Sequence, residues 1–234
     1  MIEGLITLSA GRVTQLMHAQ QSVDGWLSFN AVSEDHGGTG RVRLIEPEGL
    51  SVISDVDDTI KITEIPSGEA VVMRNTFFSE FRAVPCMVAM YQGFDNTAAF
   101  HYVSGGPWQM YAPLSEFLFA DAGFPAGSFH MKNVRTNPFE SESYDDFRKL
   151  AGGSESATEE QKLQQIKTLL KHFPQRQFIL IGDSGEKDPE IFQRIRDEHP
   201  QQVREIRIRD VVNAKQQAPE RLTDTTTIST EQSC

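Results

Sequence analysis

Leu50-Ser51-Val52-Ile53 is a short apolar run, and Ser54-Asp55-Val56-Asp57-Asp58-Thr59 follows it without a break. The first half has the composition of a buried strand. The second places three carboxylates and a hydroxyl where that strand ends and a loop begins. In an open α/β sheet, ligands collect at the carboxyl ends of the strands. Acids this close repel one another unless a cation is present, and an all-oxygen donor set suits a hard divalent ion, Mg2+ foremost. The same residues also suit a second arrangement, in which one acid is a nucleophile and another handles its protons.

Three further segments read as core strands: 99–103 (Ala99-Phe100-His101-Tyr102-Val103), 177–181 (Gln177-Phe178-Ile179-Leu180-Ile181) and 204–208 (Arg204-Glu205-Ile206-Arg207-Ile208). The 177–181 run is nearly all apolar, as a strand covered on both faces should be. The 204–208 run is more polar and reads as an edge. Helical patterns lie between them. Pro107 opens one with Tyr111, Leu114 and Leu118 in period, and Gly123 stands past its end. Thr158 and Gln161 resemble a capping box before Leu163, Ile166, Leu170 and Phe173. Asp188-Pro189 reads as cap and first residue of a helix bearing Ile191 and Ile195. Strands alternating with helices predict an α/β fold with a mainly parallel sheet.

Outside this region the signals weaken. Residues 1–48 show no strong helical period. Trp26, Leu27 and Phe29, then Arg41-Val42-Arg43-Leu44-Ile45, suggest short strands around a turn at Gly37-Gly38-Thr39-Gly40. The expected organisation is an N-terminal extension over 1–40, in keeping with the remnant of a larger module, and a catalytic domain over 41–214. The polar stretch 137–157 is expected to be a mobile loop or small cap. Residues 215–234 hold almost no large apolar groups and are expected to be disordered.

The chain has 234 residues, 38% of them hydrophobic, which suffices for a core. Its net charge of −11 argues against nucleic acid as a partner and against a general attraction to anionic membranes. The N-terminus lacks the pattern of a signal peptide, and no stretch has the apolar length of a membrane helix. The only cysteines are Cys86, in an apolar run, and Cys234, the last residue. No structural disulfide is expected from them, which favours a reducing, cytoplasmic setting.

Two more strand ends carry polar groups. Ser104-Gly105-Gly106-Pro107 follows Val103, where a hydroxyl, backbone amides and a helix N-terminus would hold an anion. Gly182-Asp183-Ser184-Gly185-Glu186-Lys187-Asp188 is a tight turn delivering Asp183 and Asp188. Lys162 could add a fixed positive charge. Phosphoryl transfer needs these parts: charge neutralisation, positioning and an in-line nucleophile.

At this point the chain resembles the haloacid-dehalogenase-like (HAD) phosphotransferase superfamily. Its first motif, DxDx(T/V), reads Asp55-Val56-Asp57-Asp58-Thr59 here; the second is Ser104, the third Lys162, and the fourth Gly182-Asp183 with Asp188. Within it, the run Ile53 to Lys61, Phe100-His101-Tyr102-Val103-Ser104 continuing to Pro107-Trp108, and Gly182 to Glu190 resemble the catalytic domain of the actin-patch-protein type of phosphatidate phosphatase, over about 41–212.

The resemblance implies a Rossmann-like fold with minimal caps and a Mg2+-dependent phosphatase. Asp55 would be the nucleophile and Asp57 the proton carrier. Mg2+ would be held by Asp55, the Asp57 carbonyl and Asp183, with Asp188 in support. Ser104 and Lys162 would hold the phosphoryl oxygens, beside Thr59 and Gly105. Lys167 and Lys187 remain alternatives to Lys162. The implied substrate is a phosphomonoester, phosphatidate or a related lipid phosphate, met peripherally at a membrane. A soluble phosphate substrate and a non-catalytic phosphate- or lipid-binding module are the competing readings. Asp58 is read as a loop-stabilising acid and His101 as a core histidine. Phe77, Phe78 and Phe81 are read as core, and Arg74, Lys132 and Arg135 as solvated surface.

Overall fold

A computed structural model describes residues 7–32, 37–133 and 155–228, with the side chains of 155–157 left aside. It divides into two units, Met1–Glu46 and Pro47–Cys234. In the first unit, helix α1 (Ala10–Ala19) starts where the Ser9 hydroxyl accepts the Arg12 N–H at 3.3 Å. Strands β1 (Trp26–Val32) and β2 (Gly37–Arg43) pair antiparallel. The glycine run expected as a turn lies inside β2, and Gly40 is there because the Phe29 ring lies where its Cβ would be.

The second unit is built on a six-stranded parallel sheet in the order β5-β4-β3-β6-β7-β8. Its strands are β3 (Gly49–Asp55), β4 (Ala99–Pro107), β5 (Ser128–Lys132), β6 (Arg176–Asp183), β7 (Val203–Arg209) and β8 (Thr226–Ile228). Its helices are α2 (Glu69–Met73), α3 (Met87–Gln92), α4 (Tyr111–Glu116), α5 (Glu155–His172), α6 (Asp188–Glu198) and α7 (Ala214–Gln217). This is the Rossmann-like α/β architecture.

The period of two along the central strands divides the core. Val52, Phe100, Tyr102, Ile179 and Ile181 pack on one face with Tyr91, Leu114 and Leu118. Ile53, Val103, Phe178 and Leu180 pack on the other, under Leu163, Ile166 and Leu170 of α5 and Ile191 and Ile195 of α6. Burying an aliphatic side chain fully contributes roughly 1.5–3 kcal/mol, so these two layers fix the strand register. A one-residue slip would turn each set to the wrong face.

Several expectations are corrected. The pattern opened by Pro107 is split into a 3-10 turn (Trp108–Met110), α4 and a π-helical turn (Phe117–Asp121). Thr158 lies inside α5, which begins at Glu155, so it is not the cap. β7 is not an edge, because β8 pairs with Arg207–Arg209. The expected disorder over 215–234 therefore fails for 215–228, where ladder pairing and the side chain of Arg221 take the place of apolar burial. Arg221 donates to the carbonyls of Ser184 at 2.8 Å and Glu186 at 2.6 Å, and to Glu190 at 2.5 Å. Cys86 is disulfide-bonded, which corrects the expected free thiol and removes that argument for a reducing compartment. Phe81 packs in the core against Phe117, whereas Phe78 is 78% exposed and so not a core residue. The loop or cap expected at 137–157 falls, up to residue 154, outside the described residues, as does Arg135.

Candidate active site

β3 ends at Asp55 and β6 ends at Asp183, on adjacent strands of one parallel pair. Their carboxylates therefore emerge side by side at the carboxyl edge of the sheet. Asp188 joins them from the start of α6. Gly182 allows this, since a Cβ there would collide with the Asp188 side chain. Oxygens of Asp55, Asp183 and Asp188 lie within 4.8 Å of one another, all from buried residues. From the other side α5 delivers Lys162, whose Nζ donates to Asp55 Oδ1 at 2.9 Å and Asp188 Oδ1 at 2.5 Å, with Glu186 at 3.7 Å.

Thr59 is fully buried and braces the acids. Its hydroxyl lies 2.8 Å from Asp55 Oδ2 and 3.3 Å from Asp183 Oδ2. Ser104 lies within the last part of β4, where the pairing to β5 is irregular between Val103 and Pro107, and not after the strand as expected. Its hydroxyl accepts the Gly106 N–H at 3.0 Å and faces Asp57 Oδ2 at 3.4 Å. Gly105 passes close beneath α5, a Cβ there meeting Thr158 at 3.0 Å.

Asp55, Asp57, Ser104, Lys162, Asp183 and Asp188 thus converge on one edge. Lys167 does not. Lys167 pairs with Glu198 at 2.5 Å, and Lys187 stands as the cap residue of α6. Asp58 has φ 56° and its carboxylate accepts the backbone N–H of Thr63, Glu64 and Ile65, at 2.9, 2.6 and 2.5 Å. It organises the loop, as its sequence reading held. His101 bonds Ser128 through Nδ1 at 2.8 Å, inside the core. Arg74 is largely exposed, 3.9 Å from Glu64, and Lys132 ends β5.

Sequence reasoning passed over Lys61, Thr63 and Glu186. The first two are 2% and 1% exposed, and both bond Asp57 Oδ1, at 2.8 and 2.6 Å. A basic residue four positions after Asp57 was the available signal.

The electrostatics are uneven. Burial pushes Asp55 well above the usual carboxylate range, Lys162 pulls it back, and Asp188 and Asp183 push it up further. Asp183 is pushed up to about 8 by burial and by Asp188. Lys162, despite burial, is held well above an ordinary lysine by Asp188 and Asp55. For Asp57, burial acts upward, yet the Lys61 ammonium outweighs it and the carboxyl sits below its ordinary value. Four carboxylates (Asp55, Asp183, Glu186, Asp188) face one ammonium here. An all-oxygen cluster with that excess of negative charge fits a hard divalent cation.

Residues 50–210 match the family model described as phosphatidate phosphatase APP1, catalytic domain. The chain belongs to this family. It is 30% identical over 179 residues to phosphatidate phosphatase APP1 of Saccharomyces cerevisiae, covering 75% of this chain and 28% of that protein. It is 28% identical over 175 residues to an uncharacterised protein of Schizosaccharomyces pombe, covering 74% and 27%. The chain therefore spans little more than a quarter of the length of these relatives. The family match takes in every acid of the cluster and Lys162, and stops before α7 and β8.

Proposed function

We propose that the chain hydrolyses a phosphomonoester through an aspartyl-phosphate on Asp55, with phosphatidate or a related lipid phosphate as substrate. One observation carries the chemistry. Asp55 is a buried carboxylate at the end of a central strand, gripped at Oδ1 by Lys162 and at Oδ2 by Thr59. A nucleophilic carboxylate must be ionised, and the Lys162 ammonium favours that form against the cost of burial.

Asp55 attacks phosphorus and the bond to the leaving oxygen breaks. Asp57 acts in its protonated form, the form its Lys61 ammonium disfavours at rest, and gives that proton to the departing alkoxide. The same carboxylate then takes a proton from water, whose oxygen attacks phosphorus. Inorganic phosphate leaves and Asp55 is regenerated. Ser104, the amides around Gly105 and the Lys162 ammonium hold the phosphoryl oxygens. The cation would be Mg2+, held by Asp55, the Asp57 carbonyl and Asp183, with Asp188 in support. When bound, it supplies neutralisation of the phosphoryl charge.

Phosphatidate resides in a bilayer, so this reading has the enzyme working peripherally at a membrane surface. Among the described residues no helix is long and apolar enough to cross one. The net charge of −11 favours a second reading, a soluble phosphomonoester. Turnover of phosphatidate in mixed micelles, measured beside a panel of soluble phosphomonoesters, separates the two. EDTA should stop both and Mg2+ restore them. Asp55→Asn should lose all measurable turnover and keep its melting temperature, since a neutral amide relieves the crowding of acids. Full activity in that variant would remove Asp55 as nucleophile.

A further inference from the structure

The two oxygens of Asp57 live in different surroundings. Oδ1 accepts from Lys61 Nζ at 2.8 Å and from Thr63 Oγ1 at 2.6 Å, and Lys61 Nζ donates to Thr63 Oγ1 at 2.6 Å. The three side chains close a ring. Among the described residues Oδ2 has only the Ser104 hydroxyl, at a long 3.4 Å, and a quarter of the Asp57 side chain stays exposed. Oδ2 is thus the oxygen on the Ser104 side of the site, and Oδ1 is fully engaged behind it.

The chain invests in this arrangement. Asp58, in the left-handed region, gathers the N–H groups of Thr63, Glu64 and Ile65, and its own N–H donates to the Lys61 carbonyl at 2.7 Å. That turn brings Lys61 and Thr63 back beneath Asp57. The Lys61 ammonium lies 5.1 Å from the Phe81 ring centre, and the Thr63 carbonyl accepts from Asn75 at 3.1 Å. An ammonium at 2% exposure costs several kcal/mol to desolvate, so a lysine is a poor choice here if packing alone were needed.

We propose that Lys61 and Thr63 are positioning residues that pin Oδ1 of Asp57 and thereby aim Oδ2 at the leaving oxygen of the substrate. Neither belongs to the DxDx(T/V) motif, the anion site, the motif lysine or the acid turn, although Lys61 closes the longer run from Ile53. The proposal rests on the reading of Asp57 as proton carrier. A misaimed acid matters most when the leaving group is a poor one. An alkoxide needs its proton, whereas a nitrophenolate departs without it.

The test is kcat on an alkyl phosphate and on 4-nitrophenyl phosphate, using the full chain with Mg2+. Lys61→Met should lower the alkyl-to-aryl kcat ratio about 10²-fold, and Thr63→Val about tenfold, with KM little changed. Lys61→Arg should restore part of the ratio. Asp57→Asn is the internal standard. An unchanged ratio in Asp57→Asn would overturn the reading of Asp57 itself. A lowered ratio there, with equal losses on both substrates or no loss in Lys61→Met, would overturn only the positioning role. Should Lys61→Met fail to fold by thermal melting, Thr63→Val decides by the same ratio.

Discussion

Two buried cations stand at opposite ends of the β3–β6 pair, and they are used differently. Lys162, 4% exposed, lies at the carboxyl edge among Asp55, Asp188 and Glu186. Arg176, 2% exposed, opens β6 opposite Gly49. It donates to Ser51 Oγ at 2.8 Å, to the Glu48 carbonyl at 2.5 Å and to the Leu50 carbonyl. Its planar fork matches acceptors whose places the backbone has already set. Lys162 is a point charge on a flexible stem, surrounded by acids that outnumber it. The depth of burial is the same; the partners differ. The hydroxyl and carbonyls of β3 and the residue before it tie the guanidinium into the sheet. Surplus carboxylates around an ammonium leave charge for another cation and for an incoming phosphoryl group.

The sharpest way to break the contrast is to remove each charge at constant volume. Lys162→Met should lower kcat by about 10²–10³-fold, the usual loss when one stabiliser of developing charge is deleted. A steady-state assay with Mg2+ held constant reads this. Parental kcat in the variant would place Lys162 with Arg176, as a structural charge. Arg176→Met should leave kcat and KM near parental values and lower stability by about 3 kcal/mol, because a buried hydroxyl and two carbonyls lose their donor. Urea unfolding checks it, and a fall in kcat without a fall in stability would sink the assignment.

The same contrast explains what could be read from the chain alone. Strands β3, β4, β6 and β7 are legible because apolar runs such as Phe178-Ile179-Leu180-Ile181 carry their burial in their composition. Asp55, Asp57 and Asp183 are legible because acids at or just past strand ends are chemically conspicuous, and Lys162 as a positive charge early in a helix pattern. Arg176 is not, since an arginine before a strand looks like any surface arginine until Ser51 and the carbonyls of Glu48 and Leu50 close on it. β8 is equally silent. Thr226–Ile228 offers little apolar area and gains its place from β7, where Arg209 pairs with Ile228, 19 residues on. Arg221, Lys61 and Thr63 share that property: each is defined by what the fold brings to it. Local composition reports on strands that bury themselves and on clustered charge. It does not report on groups whose role is to satisfy a distant backbone or side chain.

His101 sharpens the comparison from a third direction, as a buried base that avoids charge. Nδ1 bonds Ser128 Oγ, whose oxygen also lies 2.9 Å from His130 Nε2, and Nε2 of His101 has no hydrogen-bond partner among the described residues. Burial first, then His130 and Arg176, push His101 down to about 3. The unfolded chain, with an ordinary histidine near 6.5, binds a proton that the folded chain refuses between those values. Stability therefore falls as pH falls from 6.5 toward 3, by about 1.4 kcal/mol per pH unit for this one group. Titrating carboxylates in the acid cluster act over part of the same range, so the measurement is a difference. The stability of the parent minus that of His101→Phe should drop with falling pH across this window and be flat above pH 7. A difference that stays flat throughout would mean His101 takes up its proton in the fold as readily as in the unfolded chain. The Arg176→Met background should then flatten the slope only near its acid end, because removing that neighbouring charge lets His101 accept its proton at a higher pH.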